Sequence, residues 1–106
     1  MQFEVKNLQE NINTVMRKIG YQPAYFQKEG ETSIVRQITR ADYPRFHLYI
    51  KESRTMDSSV VLIFNLHLDQ KKPSYEGQTG HSGDHDGPVV EVEAERIKEL
   101  LPRIVQ

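Results

Sequence analysis

The chain contains no cysteine, which excludes a disulfide scaffold, a thiolate zinc site and a cysteine nucleophile. No apolar run approaches the ~20 residues of a membrane span, and the opening MQFEVKNLQEN has no signal-peptide core. G-x-S-x-G, P-loop, G-x-G-x-x-G and H-E-x-x-H patterns are missing as well. Nor is there the excess of basic charge that marks most nucleic-acid binders, since the isoelectric point is about 6.4, and nucleic acid is therefore disfavoured as a partner. These absences predict a soluble cytoplasmic protein with no membrane contact.

What remains is a chain of 106 residues, 37% of them hydrophobic, enough for a single domain spanning 1–106. Ordering such a chain costs on the order of 160 kcal/mol at about 1.5 per residue, so most apolar side chains must share one core. The net charge of -1 conceals an asymmetry. Residues 1–56 carry nine Lys/Arg against six Asp/Glu, and residues 57–106 carry five against nine.

Periodicity places the elements. Asn7 with Glu10 reads as a capping pair and Gly20 as a helix stop. Between them Leu8, Ile12, Val15, Met16 and Ile19 recur on one helical face. Upstream, Phe3 and Val5 alternate with polar residues as in a short edge strand. From residue 21 to 69 the period becomes 2. Segments 22–28 and 32–39 flank Glu29-Gly30 as a hairpin, with its register open: if Ile34 and Ile38 face the core, Arg36 faces inward too, which suggests a bulge. Segment 43–52 puts Phe46, Leu48 and Ile50 on one face and Arg45, His47, Tyr49 and Lys51 on the other. Segment 58–69 puts Val60, Leu62, Phe64, Leu66 and Leu68 inward, leaving Val61, Ile63, Asn65, His67 and Asp69 outward. A final helix over 91–101 presents Val90, Ala94, Ile97, Leu101 and Ile104, with Pro102 ending or kinking it.

The predicted fold is thus α+β, in the order α-β-β-β-β-α. A four-stranded antiparallel meander carries an N-terminal and a C-terminal helix on one face, with a long loop before the last helix. This order is similar to that of the RWD and ubiquitin-conjugating family, although the active-site motif of that family has no counterpart in QTGHSGDHDG. It is similar too to the double-stranded RNA-binding domains, but their lysines at the start of the last helix are replaced here by Glu91, Glu93 and Glu95.

The polar segment 70–88 is the first place to look for chemistry, because long aperiodic loops in compact domains are either functional or disordered. His81, Asp84, His85 and Asp86 fall within six residues, and His67 and Asp69 lie just before them. Imidazole with carboxylate suits zinc or a similar divalent ion. Counted from Ser82, the residues Ser82, Asp84, Asp86 and Glu93 also occupy positions one, three, five and twelve of an EF-hand calcium loop, with Gly87 at six. The outer face of the strand pair is the second place. There Tyr43, Arg45 and His47 come opposite or diagonal to Asn65, His67 and Asp69. Val61, Ile63 and Tyr49 would add an apolar spot suited to a partner or a homodimer.

The sequence therefore favours a non-enzymatic binding or interaction module that uses the open sheet face and the 70–88 loop. Its candidate ligand or partner contacts are Arg45, His47, Tyr49, Asn65 and Tyr75, and its partners a second protein or a second copy of the chain. The alternative is a divalent-metal protein, for zinc or calcium, with hydrolytic chemistry at His67, Asp69, His81, Asp84, His85 and Asp86. Without a metal, the chain needs no cofactor.

Overall fold

A computed structural model describes residues 1–6, 8–70, 83–84 and 86–104. The elements run β1 (Gln2–Lys6), α1 (Ile12–Lys18), β2 (Gln22–Pro23), β3 (Thr32–Gln37), β4 (Arg45–Arg54), β5 (Val60–Asp69), β6 (Gly83–Asp84) and α2 (Pro88–Ile104). The fold is α+β with an antiparallel sheet and a C-terminal helix. The expected four strands between two flanking helices need correction. The sheet runs β1-β5-β4-β3-β2, and β6 pairs with β5 beside β1. The chain thus enters the sheet as a strand before α1, because Phe3 and Val5 can pack against the core only when β1 lies antiparallel along residues 61–65 of β5.

The first helix is shorter than predicted. Its cap is Asn11, whose side chain accepts a hydrogen bond from the Thr14 N–H at 3.2 Å, and Gly20 follows it at φ +104, a conformation that strongly favours glycine. Asn7, the expected cap, lies outside the described residues. The second helix is longer at both ends than predicted and continues through Pro102 to Ile104.

One core joins the layers. Ile34, Phe46, Leu48, Ile50, Leu62, Phe64, Leu66 and Leu68 from the inner sheet face meet Val15, Met16 and Ile19 of α1 and Val90, Ala94, Ile97 and Leu101 of α2. Each fully buried aliphatic or aromatic side chain contributes about 1.5–3 kcal/mol. That face therefore fixes the alternation, and with it everything on the opposite face.

In the first hairpin the extra residues lie on the arm before the turn: Pro23 pairs with Ile34 and the next bridge joins Lys28 to Glu31, so residues 24–27 stand against only two of the other arm. β3 pairs continuously with β4 from Thr32↔Ile50 to Gln37↔Arg45, so Ile34 faces the core and Arg36 does too. Arg36 is tolerated there because Glu93 of α2 meets it, with Nη2 2.8 Å and Nε 3.0 Å from the carboxylate oxygens, while Phe46 lies under the guanidinium at 5.2 Å. Glu93 in turn accepts from Arg96 and from the Tyr21 hydroxyl at 2.6 Å. The EF-hand reading fails on this residue, since both Glu93 oxygens are committed to guanidinium groups and neither is left for a calcium ion. Among the described residues no helix is long and apolar enough to cross a membrane.

Candidate functional site

With the even positions of β4 and β5 buried in the core, the odd positions line up on the outer face. The ladder pairs Arg45 with Asp69, His47 with His67 and Tyr49 with Asn65, the opposition expected from the alternation. β3 adds Ser33, which lies opposite Tyr49 and reaches diagonally to His47.

These side chains form a hydrogen-bonded chain across three strands. The Ser33 hydroxyl lies 2.7 Å from His47 Nε2, His47 Nδ1 lies 3.0 Å from Asp69 Oδ2, and His67 Nε2 lies 3.0 Å from Asp69 Oδ1. The imidazoles of His47 and His67 and the Tyr49 ring stack at centroid separations of 4.3 to 5.4 Å. Burial alone would raise the Asp69 carboxyl, but the hydrogen bonds from His47 and His67, and the charge of either ring when protonated, hold it below the usual carboxylate range. An ionised carboxylate only accepts, so both histidines present N–H to it. In neutral His47 the remaining nitrogen, Nε2, then accepts the Ser33 O–H. Burial, together with the nearby charges of Asp69 and Glu31, raises the Tyr49 hydroxyl and keeps it protonated near neutrality, against the opposing charge of Arg45.

The cluster forms one wall of an open cavity of about 1000 Å³. Its other wall is the 24–31 segment between β2 and β3, which Gln27 fastens to β3. The Gln27 amide donates to the carbonyls of Ala24 and Ser33 at 2.8 Å and accepts from the Ser33 N–H at 3.2 Å. Tyr25 and Phe26, 93% and 76% exposed, meet edge to face at the rim. Arg45 is held differently from the histidines. Its guanidinium stacks 4.5 Å over the Tyr43 ring, and its Nε, 3.6 Å from Asp69, is buried and donates no hydrogen bond among the described residues.

The chain matches no family model, no curated protein and no solved structure. The site has to be read from its own chemistry.

Of the residues singled out from the sequence, the structure brings together Arg45, His47, Tyr49, His67 and Asp69. Asn65 shares their face but is exposed at the far end, paired with Gln2 of β1 as well as Tyr49. His81, His85 and Tyr75 lie outside the described residues, as does the side chain of Asp84, and Asp86 is exposed just before α2. β6 nevertheless returns the loop to this site, because Gly83 pairs with Asp69. The apolar spot at Val61 and Ile63 is not formed: Val61 is buried and Ile63 half-buried opposite Glu4 of β1. Two contributors escaped the sequence reading, Ser33 and the 24–31 wall. The first was within reach, since fixing Ile34 inward fixes Ser33 outward.

The order Ser33, His47, Asp69 is that of a serine–histidine–aspartate relay. Two features argue against a nucleophile. Ser33 is only 4% exposed in the middle of the sheet, and its own N–H is donated to Gln27 rather than presented to an oxyanion.

Proposed function

We propose that this protein is a non-enzymatic binding module that recognises an anionic group, a carboxylate or phosphate, in the outer-face cavity. Arg45 carries the reading. A guanidinium is a fixed fork of five N–H donors matched to planar oxyanions, and buried donors are normally satisfied. Here the fork is oriented by Tyr43, its Nε donates to no described protein acceptor, and it stands in the wall of a cavity lined by tyrosines and two imidazoles. Aromatic rings beside convergent polar groups, here four rings with Lys28, Glu31 and Asp69 among the polar lining, compose a concavity suited to a ligand. The exposed Tyr25–Phe26 pair at the rim would cover the apolar part of whatever carries the anion.

The test is a residue-resolved NMR titration of the full chain with inorganic phosphate and with acetate. Saturable shifts centred on Arg45, His47, Tyr49 and His67, at about millimolar concentration for such small probes, and their loss in Arg45→Met, support the reading. Shifts that are non-saturating, or that persist unchanged in Arg45→Met, overturn it.

A further inference from the structure

We infer that His47, His67 and Asp69 form a binding site for a divalent transition-metal ion, with zinc as its simplest occupant, at the floor of the outer-face cavity. The inference goes beyond anion recognition and does not rest on it. One donor atom from each of the three side chains lies within 4.8 Å of the others. Zinc bonds of about 2.0–2.1 Å at tetrahedral angles hold donors roughly 3.3 Å apart. His47 Nδ1 and His67 Nε2 each stand 3.0 Å from an Asp69 oxygen, so a cation could take the place of the two shared protons, with no donor pair having to close from more than 4.8 Å.

The proton balance closes without a co-reactant. Each neutral imidazole carries one N–H. On metal binding His47 moves it from Nδ1 to Nε2 and His67 from Nε2 to Nδ1, so both lone pairs face the metal and Asp69 stays ionised. The Ser33–His47 hydrogen bond then reverses: Nε2–H donates to Ser33 Oγ across the same 2.7 Å. An orienting acceptor on the far nitrogen is the usual companion of a metal-bound histidine, and it is already in place.

The backbone supports the geometry. His47 and His67 are direct partners in the ladder and Asp69 follows two residues later on the same strand, so the three ligands hang from paired strands and not from loops. Two histidines and one carboxylate leave coordination positions open, as in sites that bind an exogenous ligand and unlike closed structural ones, and those positions face the cavity. Imidazole donors favour zinc, iron or nickel over calcium or magnesium, which take oxygen ligands. Arg45, 3.6 Å from Asp69, opposes a dication there, so metal and guanidinium together would be best accommodated by an anion bridging them.

The experiment is a zinc titration of the chelator-treated 106-residue chain in competition with a chromophoric chelator, repeated with cobalt to read the coordination number from its visible absorption. Expected are one equivalent bound, a loss of roughly a hundredfold or more in His47→Ala and His67→Gln, and a ten- to hundredfold weakening in Ser33→Ala, which removes only the orienting partner. Arg45→Met removes the anion contact but no ligand, and it should bind zinc at least as tightly as the parent, which separates this inference from the anion reading. Thermal melts establish that each variant is folded. The inference is overturned if the parent binds no zinc in competition, if binding survives in both folded variants His47→Ala and His67→Gln, or if it is lost only in the double variant His81→Ala, His85→Ala.

Discussion

Replacing Glu93 by alanine tests the charged cluster set against the core. Its carboxylate, 2% exposed, accepts hydrogen bonds from Tyr21 at 2.6 Å, from Arg36 at 2.8 and 3.0 Å and from Arg96 at 2.7 and 3.0 Å. Removing one member of a buried ion pair costs about 3–5 kcal/mol when the partner charge is left dry. Here the Arg36 and Arg96 side chains keep 28% and 31% of their exposure, so water can recover part of that loss. The Tyr21 hydroxyl, buried and stripped of its acceptor, adds about 1–3 kcal/mol. The net expectation is a loss of about 3 kcal/mol, a large share of the ~5–15 kcal/mol that a domain of this size has. It should lower the melting temperature by roughly 12 °C or more.

Equilibrium urea unfolding followed by circular dichroism measures it, with an unchanged m-value confirming that only stability has altered. Tyr21→Phe leaves Glu93 its four guanidinium bonds and should cost only about 1.5 kcal/mol. Glu95→Ala, whose partner Lys98 is exposed at 3.6 Å, should cost about 0.5 kcal/mol or less. A Glu93→Ala loss below about 1 kcal/mol, or one smaller than that of Tyr21→Phe, would refute the view that this carboxylate is what permits Arg36 to face the core.

Burial alone would raise the Glu93 carboxyl, but the hydrogen bonds from Arg96, Arg36 and Tyr21 hold it below its ordinary value. Its contribution is therefore complete above about pH 4.3 and is lost as pH falls through the depressed native value, so the urea midpoint should drop below about pH 4, and less steeply in Glu93→Gln. Tyr21 shows the opposite sign: burial, then the charge of Glu93, raises its hydroxyl, so its contribution is complete below about pH 10 and fades above it, and Tyr21→Phe should remove that part of the alkaline decline in a pH series of urea midpoints. Gly20→Ala should destabilise by about 1–2 kcal/mol in the same assay, because the positive φ is compounded by a Cβ only 3.0 Å from Arg36 Cδ. Gly30→Ala, whose Cβ would meet nothing within 4 Å, should cost about 1 kcal/mol from the backbone alone.

The strands were legible wherever one face is uniformly apolar. Phe46, Leu48 and Ile50 against Leu62, Phe64, Leu66 and Leu68 could face only one way, and the opposition of Arg45 to Asp69 and of His47 to His67 follows from that alone. The helix start was less legible: the Asn7–Glu10 spacing reads as a capping pair, whereas the Asn11–Thr14 hydrogen bond puts the cap four residues later. The hairpin register was ambiguous for a physical reason. Arg36 on an apolar face is penalised unless a buried carboxylate is supplied from elsewhere, and that carboxylate lies on a helix 57 residues away in the sequence. Local alternation carries no trace of it.

The candidate site shows the same division. Five of its side chains were found from the period-2 pattern: the outer-face reading set His67 and Asp69 across from His47, twenty residues earlier and directly opposite in the ladder, while the metal reading joined them to His81 and His85, which lie outside the described residues. Nearness along the chain is a weak guide to a side-chain cluster on a sheet, because two residues on one strand face share it with residues fixed by hairpin length, not by local spacing. Ser33 follows the same logic one strand further out. It becomes part of the site only once Ile34 is known to point inward, and Ile34 can do so only because Glu93 accepts Arg36. The buried ion pair on one face of β3 thus determines which hydroxyl stands behind His47 on the other, and a substitution that let β3 slip by one residue would remove Ser33 from His47 without touching the site directly.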